Sequence, residues 1–147
     1  MLKDLEPEQL GLYWPVRSEF NAPKAFAADA TFATLALALP YARRLPVEIH
    51  YRAWDGRDPK VKDERDIPSS TGAVVVPEVV LIPCVGYTRT GYRLGYGGGY
   101  FDRWLALHPD VTTIGVAWSI SEMTDGAFEP QSHDRALTLI VTEQGVV

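Results

Sequence analysis

An unbroken apolar run, Val79-Val80-Leu81-Ile82-Pro83-Cys84, leads into the segment Gly91-Tyr92-Arg93-Leu94-Gly95-Tyr96-Gly97-Gly98-Gly99-Tyr100-Phe101-Asp102-Arg103, and a helix-like stretch, Tyr100 to Leu107, follows. Four glycines fall within five residues. Glycine loses more backbone freedom on folding than any other residue, so this density needs a reason. The usual reason is close approach of the backbone to a bulky ligand. Backbone N–H groups leading into a helix N-terminus make a ready anion site, and phosphate is the anion that suits it. A tightly turned structural loop is the competing reading. Strand, glycine loop and helix in this order also point to an open parallel sheet, where ligands gather at the carboxyl ends of strands.

The remaining segments fit a layered α/β fold. Leu10 to Trp14 is a short apolar run closed by Pro15 and predicts a buried strand. Lys24 to Leu39 is rich in alanine and leucine, with Pro23 suited to a helix start, and predicts a helix. Pro40 and Pro46 then bracket a turn. Val47 to Trp54 alternates apolar and polar residues, as a half-exposed strand does. Asp55 to Ser70 reads as a charged loop. Val79 to Cys84 has the continuous apolar character of a parallel strand covered on both faces. Tyr100 to Leu107 predicts a helix that stops near Pro109. Thr113 to Ala117 and Thr138 to Thr142 read as strands, and Ser121 to Phe128 as a helical turn. The expectation is one α/β domain over residues 1–147, a three-layer sandwich around a mainly parallel sheet. Trp14, Trp54, Trp104 and Trp118 read as core residues.

Composition narrows the partners. A chain of 147 residues, 46% hydrophobic and 22% charged, suits one folded domain. A formal net charge of −5 argues against wide nucleic-acid contact. A small anion remains compatible, because a few clustered arginines outweigh the global sign locally. The lone cysteine, Cys84, excludes an internal disulfide and fits a reducing compartment. Met1 to Pro7 carries no apolar signal core, and no apolar run is long enough to span a bilayer. A cytoplasmic chain is expected, with neither membrane nor nucleic acid as partner.

The glycine loop matches neither common phosphate motif. A P-loop needs Lys-Ser/Thr after its last glycine, and Tyr100-Phe101 stand there instead. The dinucleotide fingerprint, started at Gly95 and Gly97, puts Tyr100 where its third glycine belongs. Asp102 falls in the first turn of the following helix. It suits a dipole-pairing carboxylate and a magnesium ligand equally. His133-Asp134 reads as an exposed turn. Glu19, beside Arg17, reads as half of a surface ion pair. Cys84 reads as a small buried residue rather than a nucleophile.

Taken together, these residues resemble the signature of the 5-formyltetrahydrofolate cyclo-ligase (5,10-methenyltetrahydrofolate synthetase) family. The resemblance runs from about Leu10 to Val147. Beyond the glycine segment it rests on Leu12-Tyr13-Trp14-Pro15 with Glu19, Leu81-Ile82-Pro83-Cys84, Thr113-Ile114-Gly115-Val116-Ala117 and His133-Asp134. It implies a three-layer α/β fold and an ATP- and Mg²⁺-dependent conversion of 5-formyltetrahydrofolate to 5,10-methenyltetrahydrofolate, with ADP and phosphate released. It further implies that Arg93, Leu94, Gly95, Tyr96, Gly97, Gly98, Gly99, Tyr100 and Phe101 hold ATP, with Arg93 and Tyr100 at the chemistry. Glu19, Trp54, Tyr96 and Tyr100 would contact the folate, and Asp102 and Asp134 would bind Mg²⁺. A monomer or weak homodimer is expected. Two departures stand out. Phe101 replaces the second of the family's two tyrosines, which keeps a ring and loses a hydroxyl. The family's N-terminal helical segment, whose lysine and arginine contact ATP, is not matched; this chain starts about nine residues before its first strand, with Lys3 alone as a base there. The alternative is a family member without catalysis that binds folate or nucleotide, or an N-terminally truncated product with weak activity.

Overall fold

The computed structural model describes residues 8–15, 19–28, 35–94, 99–123 and 136–147. Twelve strands and two α-helices lie among them. In chain order they are β1 (Gln9–Gly11), α1 (Ala22–Ala28), β2 (Ala36–Arg44), β3 (Val47–Trp54), β4 (Val61–Lys62), β5 (Pro68–Ser69), β6 (Val74–Val75), β7 (Val79–Pro83), β8 (Gly86–Tyr87), β9 (Arg93–Leu94), α2 (Tyr100–Leu107), β10 (Thr112–Val116), β11 (Leu139–Thr142) and β12 (Gly145–Val146). Eight strands form one sheet in the order β12-β11-β10-β7-β1-β2-β3-β6. The five central strands, β11 to β2, run parallel, and β12, β3 and β6 extend the edges antiparallel.

Alternation in the strands builds a core on each face. Val80 and Ile82 of β7 face one way, with Ala38, Tyr51, Trp104, Leu105 and Ile140. Val79 and Leu81 face the other, with Leu10, Leu39, Ile114 and Ala22. Helix α2 thus covers the first face and α1 begins on the second, the three-layer arrangement expected. The crossover β1–α1–β2 moves one way across the sheet, and β7–α2–β10 moves the other. Crossovers of one hand that run in opposite directions put their helices on opposite faces. The reversal falls between neighbouring β1 and β7, so the carboxyl ends of these strands open a crevice there.

The helix predicted from Lys24 to Leu39 does not reach Leu39, because the chain is already strand from Ala36. Asn21 Oδ1 accepts a hydrogen bond from Lys24 N (3.1 Å), which caps α1 at its start. The described helix spans Ala22–Ala28, residues 29–34 lie outside the described residues, and Ala36 begins a nine-residue strand. Alanine and leucine favour helix intrinsically, but in β2 they alternate across the sheet. Leu37 and Leu39 pack on one face, while Ala38 and Ala42 leave room on the other for Tyr51 and Trp104. Pro40, expected at a turn, sits inside β2 opposite Tyr51. Ala38 O accepts from Leu12 N (2.8 Å), so the backbone polar groups of 38, 40 and 42 point to the β1 side. Strand β1 ends at Gly11, and Pro40's missing N–H falls where no strand pairs. The β4–β5 turn takes over: Ser69 Oγ donates to Pro40 O (2.8 Å), and Asp63 Oδ2 accepts from Ala42 N (3.1 Å). The turn after β2 lies at Leu45–Pro46.

The tryptophans divide. Trp104 is core, packed against Tyr51 at 4.8 Å between ring centroids. Trp14 and Trp54 are half-buried and meet edge-to-face at 6.2 Å. Trp118 is 41% exposed and packs on Phe20, so it is not core. Ser119–Ser121 forms a 3₁₀ turn, earlier than the helical turn expected from Ser121 to Phe128, most of which lies outside the described residues. No helix among the described residues is long and apolar enough to cross a membrane.

Candidate active site

The crevice between β1 and β7 collects chain that is far apart in sequence. A cavity of about 110 Å³ is lined by Glu19 and Phe20 after β1, Cys84 and Val85 after β7, and Val116 to Trp118 and Ser121 at the end of β10. Tyr13 Oη donates to Phe20 O (3.0 Å), which folds the post-β1 loop back and holds Glu19 over the crevice. Gly115 keeps its wall close: a Cβ there would come within 2.7 Å of Leu137 Cδ1 and 2.9 Å of Cys84 Sγ.

Arg93 lies where the glycine segment begins. Its Nη1 reaches Pro83 O at 3.5 Å, and its guanidinium sits 5.3 Å from the centre of the Phe101 ring. Its Nε is buried and has no hydrogen-bond partner among the described residues. Tyr51 Oη is in the same condition. Burial pushes the Tyr51 phenol far up from its ordinary range, and the facing Arg93 charge opposes that. Burial likewise raises the Cys84 thiol to about 11; Arg93 opposes the shift and Glu19 adds to it. Cys84 is therefore a protonated thiol whose Sγ lies 3.6 Å from Ile82 O, as a small core residue would be. Arg93 and Glu19, 74 positions apart, both act on that one sulfur.

Helix α2 carries the second half of the glycine segment. Gly99 caps it with φ 67° and ψ 17°, a left-handed conformation costly for any residue with a Cβ. Arg103 folds back so that its Nη1 lies 3.1 Å from where that Cβ would stand. Asp102 occupies the first turn, where a carboxylate pairs favourably with the helix dipole. The helix closes at His108, whose N–H reaches Trp104 O (3.1 Å), and Pro109 cannot extend it. Tyr100 and Phe101 pack against the α2-side core. Phe101, the departure from two tyrosines, uses its ring face toward Arg93 rather than a hydroxyl.

The structure thus brings Glu19, Arg93, Tyr100, Phe101 and Asp102 to the carboxyl side of the sheet. Trp54 stands apart from the Glu19 cavity. It lines a cleft of about 390 Å³ with Asp55, Arg57, Lys60 and Ser70, and its Nε1 donates to Arg57 O (2.8 Å). Gly95, Tyr96, Gly97, Gly98, His133 and Asp134 lie outside the described residues, as does Arg17. Among the described residues no three His, Cys, Asp or Glu side chains gather as a metal site. The sequence reading does not single out Tyr51, whose hydroxyl is buried and unmet among the described residues, or Arg65, whose guanidinium lies over the Tyr100 ring, 4.6 Å from its centroid. Tyr51 hides in an ordinary alternating strand; Arg65 hides in a charge run, Lys62 to Asp66, that looks like solvated loop. No local signal distinguishes either.

Known proteins resemble this chain in sequence and in fold. The model of the 5-formyltetrahydrofolate cyclo-ligase family covers residues 48–143. A 5-formyltetrahydrofolate cyclo-ligase from Mycoplasma pneumoniae is 40% identical over 65 residues, which cover 44% of this chain and 38% of that protein. The mouse protein of that name is 27% identical over 94 residues, 62% of this chain and 45% of its own length. The chain therefore matches less than half the length of these curated relatives. Among solved structures, the 5,10-methenyltetrahydrofolate synthetase of Aquifex aeolicus superposes with a TM-score of 0.75 at 25% identity, over 99% of this chain and 75% of that one. That of Mycoplasma pneumoniae gives 0.68 at 24% identity, over 91% and 72%, and supports the fold. With the family model matched from β3 through β11 and the sheet shared with two solved synthetases, the chain belongs to the 5-formyltetrahydrofolate cyclo-ligase family.

Proposed function

We propose that this chain catalyses the ATP-dependent closure of 5-formyltetrahydrofolate to 5,10-methenyltetrahydrofolate, in the cytoplasm and without a macromolecular partner. The observation that carries the reading is Arg93. A half-buried guanidinium whose Nε is buried and unmet among the described residues, placed beside the switch-point crevice of a family member, is a cation held ready for an anion. Five donors in a planar fork suit the oxyanions of a nucleotide's phosphate chain.

The chemistry asks for little beyond positioning. The formyl oxygen on N5 is a poor leaving group. Transfer of the γ-phosphoryl group from ATP to that oxygen releases ADP and makes a good leaving group of it. The neighbouring N10 attacks the activated carbon and gives up its proton to solvent, the C–O bond breaks, and phosphate departs as the five-membered ring closes. In this reading Arg93, with the backbone from Leu94 to Phe101, holds the phosphates. Tyr100 and Tyr96 line the folate side, and Glu19 and Trp54 contact the folate. The charge that develops during phosphoryl transfer is met by Arg93 and the α2 N-terminus. Mg²⁺ fits the donors present, because it binds through one or two carboxylates with phosphate and water completing its shell. Asp102 and Asp134 would supply those carboxylates, and the ion would neutralise phosphate charge.

The test incubates the protein with Mg²⁺, ATP and 5-formyltetrahydrofolate and follows the methenyl absorbance. Turnover in the wild type that falls about 10²- to 10³-fold in Arg93→Met is the expected result. Absence of any rise above blank at high protein concentration would sink the reading; folate or nucleotide binding without turnover would instead mark a non-catalytic member of the family.

A further inference from the structure

The β4–β5 turn presents a cation that no carboxylate among the described residues pairs. Asp63 is buried and its carboxylate is saturated by backbone donors. Oδ1 accepts from Arg65 N (2.8 Å) and Ile67 N (3.0 Å), and Oδ2 accepts from Ala42 N (3.1 Å). Backbone bonds Asp63 N to Ile67 O (2.8 Å) and Glu64 N to Ala42 O (3.1 Å) fasten the same turn, and Glu64 Oε1 accepts from Arg44 N (2.9 Å). Asp66 adopts φ 64° within it and pairs with Lys62 (3.5 Å). Both acidic neighbours of Arg65 are thus engaged elsewhere.

Arg65 itself is half-buried, and its guanidinium lies over the Tyr100 ring, 4.6 Å from the centroid. It makes no ion pair and no side-chain hydrogen bond among the described residues. Stacking on a ring consumes the face of the guanidinium and leaves its in-plane N–H fork free. The ring in question opens α2, immediately after Gly99. A rigid turn therefore holds an unengaged planar cation beside the segment that the proposed function assigns to ATP and folate.

We propose that Arg65 is an additional anion-binding residue of this site, taking a substrate oxyanion in its free fork while Tyr100 supports its face. This rests on the cyclo-ligase reading. Two oxyanions of the substrates suit the fork, a phosphate of the nucleotide and a carboxylate of the folate's glutamate tail, and the experiment separates them.

The wild-type chain, Arg65→Ala and Arg65→Lys are compared in methenyl formation, with Mg-ATP and 5-formyltetrahydrofolate varied in turn. Calorimetric titrations with sodium tripolyphosphate and with 5-formyltetrahydrofolate alone accompany them. Arg65→Ala is expected to lower kcat/KM about tenfold through KM, the loss of one charge-assisted interaction. A rise confined to the Mg-ATP KM identifies the phosphate, and one confined to the folate KM identifies the carboxylate. Lys restores part of the loss by charge without the planar fork. The thermal midpoint should fall by no more than about 4 °C, as expected for a single ring–cation contact. Unchanged KM values, or a large midpoint drop with KM intact, overturn the proposal. A wild-type chain that turns nothing over defeats the cyclo-ligase reading instead. The calorimetry then decides: a Kd for tripolyphosphate or folate weakened at least fivefold by Arg65→Ala sustains the anion site, and no binding or an unchanged Kd overturns it.

Discussion

Asp63 and Arg93 each place polar atoms of a charged group out of reach of water, and their surroundings treat them oppositely. Three backbone N–H groups satisfy Asp63, all from the turn it organises and the strand that turn completes. Arg93 keeps a buried Nε with no partner among the described residues, and Tyr51 Oη nearby is equally unmet. A buried charge with every bond made belongs to folding. A charged group with a buried donor left open belongs to something the folded chain has yet to meet.

Substitutions at the two charges should separate these roles. The largest effect on stability is expected at Asp63→Ala, which strands the Ala42, Arg65 and Ile67 donors and costs about 4 kcal/mol in chemical denaturation. Arg93→Met should do the reverse. It should leave the unfolding free energy within about 1 kcal/mol of wild type while turnover falls about 10²- to 10³-fold, the usual consequence of losing a donor aimed at developing charge. If Arg93→Met unfolds the chain as Asp63→Ala does, the contrast collapses.

Tyr51→Phe sharpens the comparison at lower amplitude. Deleting an unpaired buried hydroxyl should be neutral or stabilising by up to about 1 kcal/mol, read from the thermal midpoint. A clear loss would show that the hydroxyl already has a partner that matters to the fold. The smallest effect lies at His50, where the charge is near the surface. Its Nε2 accepts from Arg52 Nε (2.9 Å), and its ring stacks on Tyr41. Burial first, then the charges of Arg52 and Arg43, hold its pKa below the ordinary 6.5. The folded state thus binds this proton less readily than the unfolded chain. The stabilisation is complete above about pH 6.5 and fades as pH falls through 6.5 toward the folded value. A His50→Gln chain should lose that slope in midpoint-versus-pH measurements.

What was legible in the chain follows from which physics is local. Strand β3 shows its alternation and β7 its continuous apolarity. Helix α2 shows a glycine before it and a proline after it. Each of these signals is complete within a few residues. Strand β2 is not legible, because Ala-Leu repeats favour helix until β1 and β3 pair with them from elsewhere in the chain. Glu19, Arg93, Tyr100 and Asp102 stand out in the chain through resemblance to a family signature rather than through local physics. The convergence of Glu19 and Arg93 on Cys84 depends on the reversal of strand order and leaves no trace in spacing. Arg65 is invisible for the same reason: its meaning comes from a ring 35 positions downstream.

Pro40 has a further consequence for how such a chain tolerates length changes. Because β1 stops short of it, the Asp63–Ser69 stretch serves as a borrowed edge for β2, bonded at positions 40 and 42. Residues inserted between Asp63 and Ser69 would slide one anchor off the other, whereas residues added at Asp55 to Lys60 would lengthen a rim without disturbing either. Natural variants with extra sequence in this half of the protein should carry it before Val61.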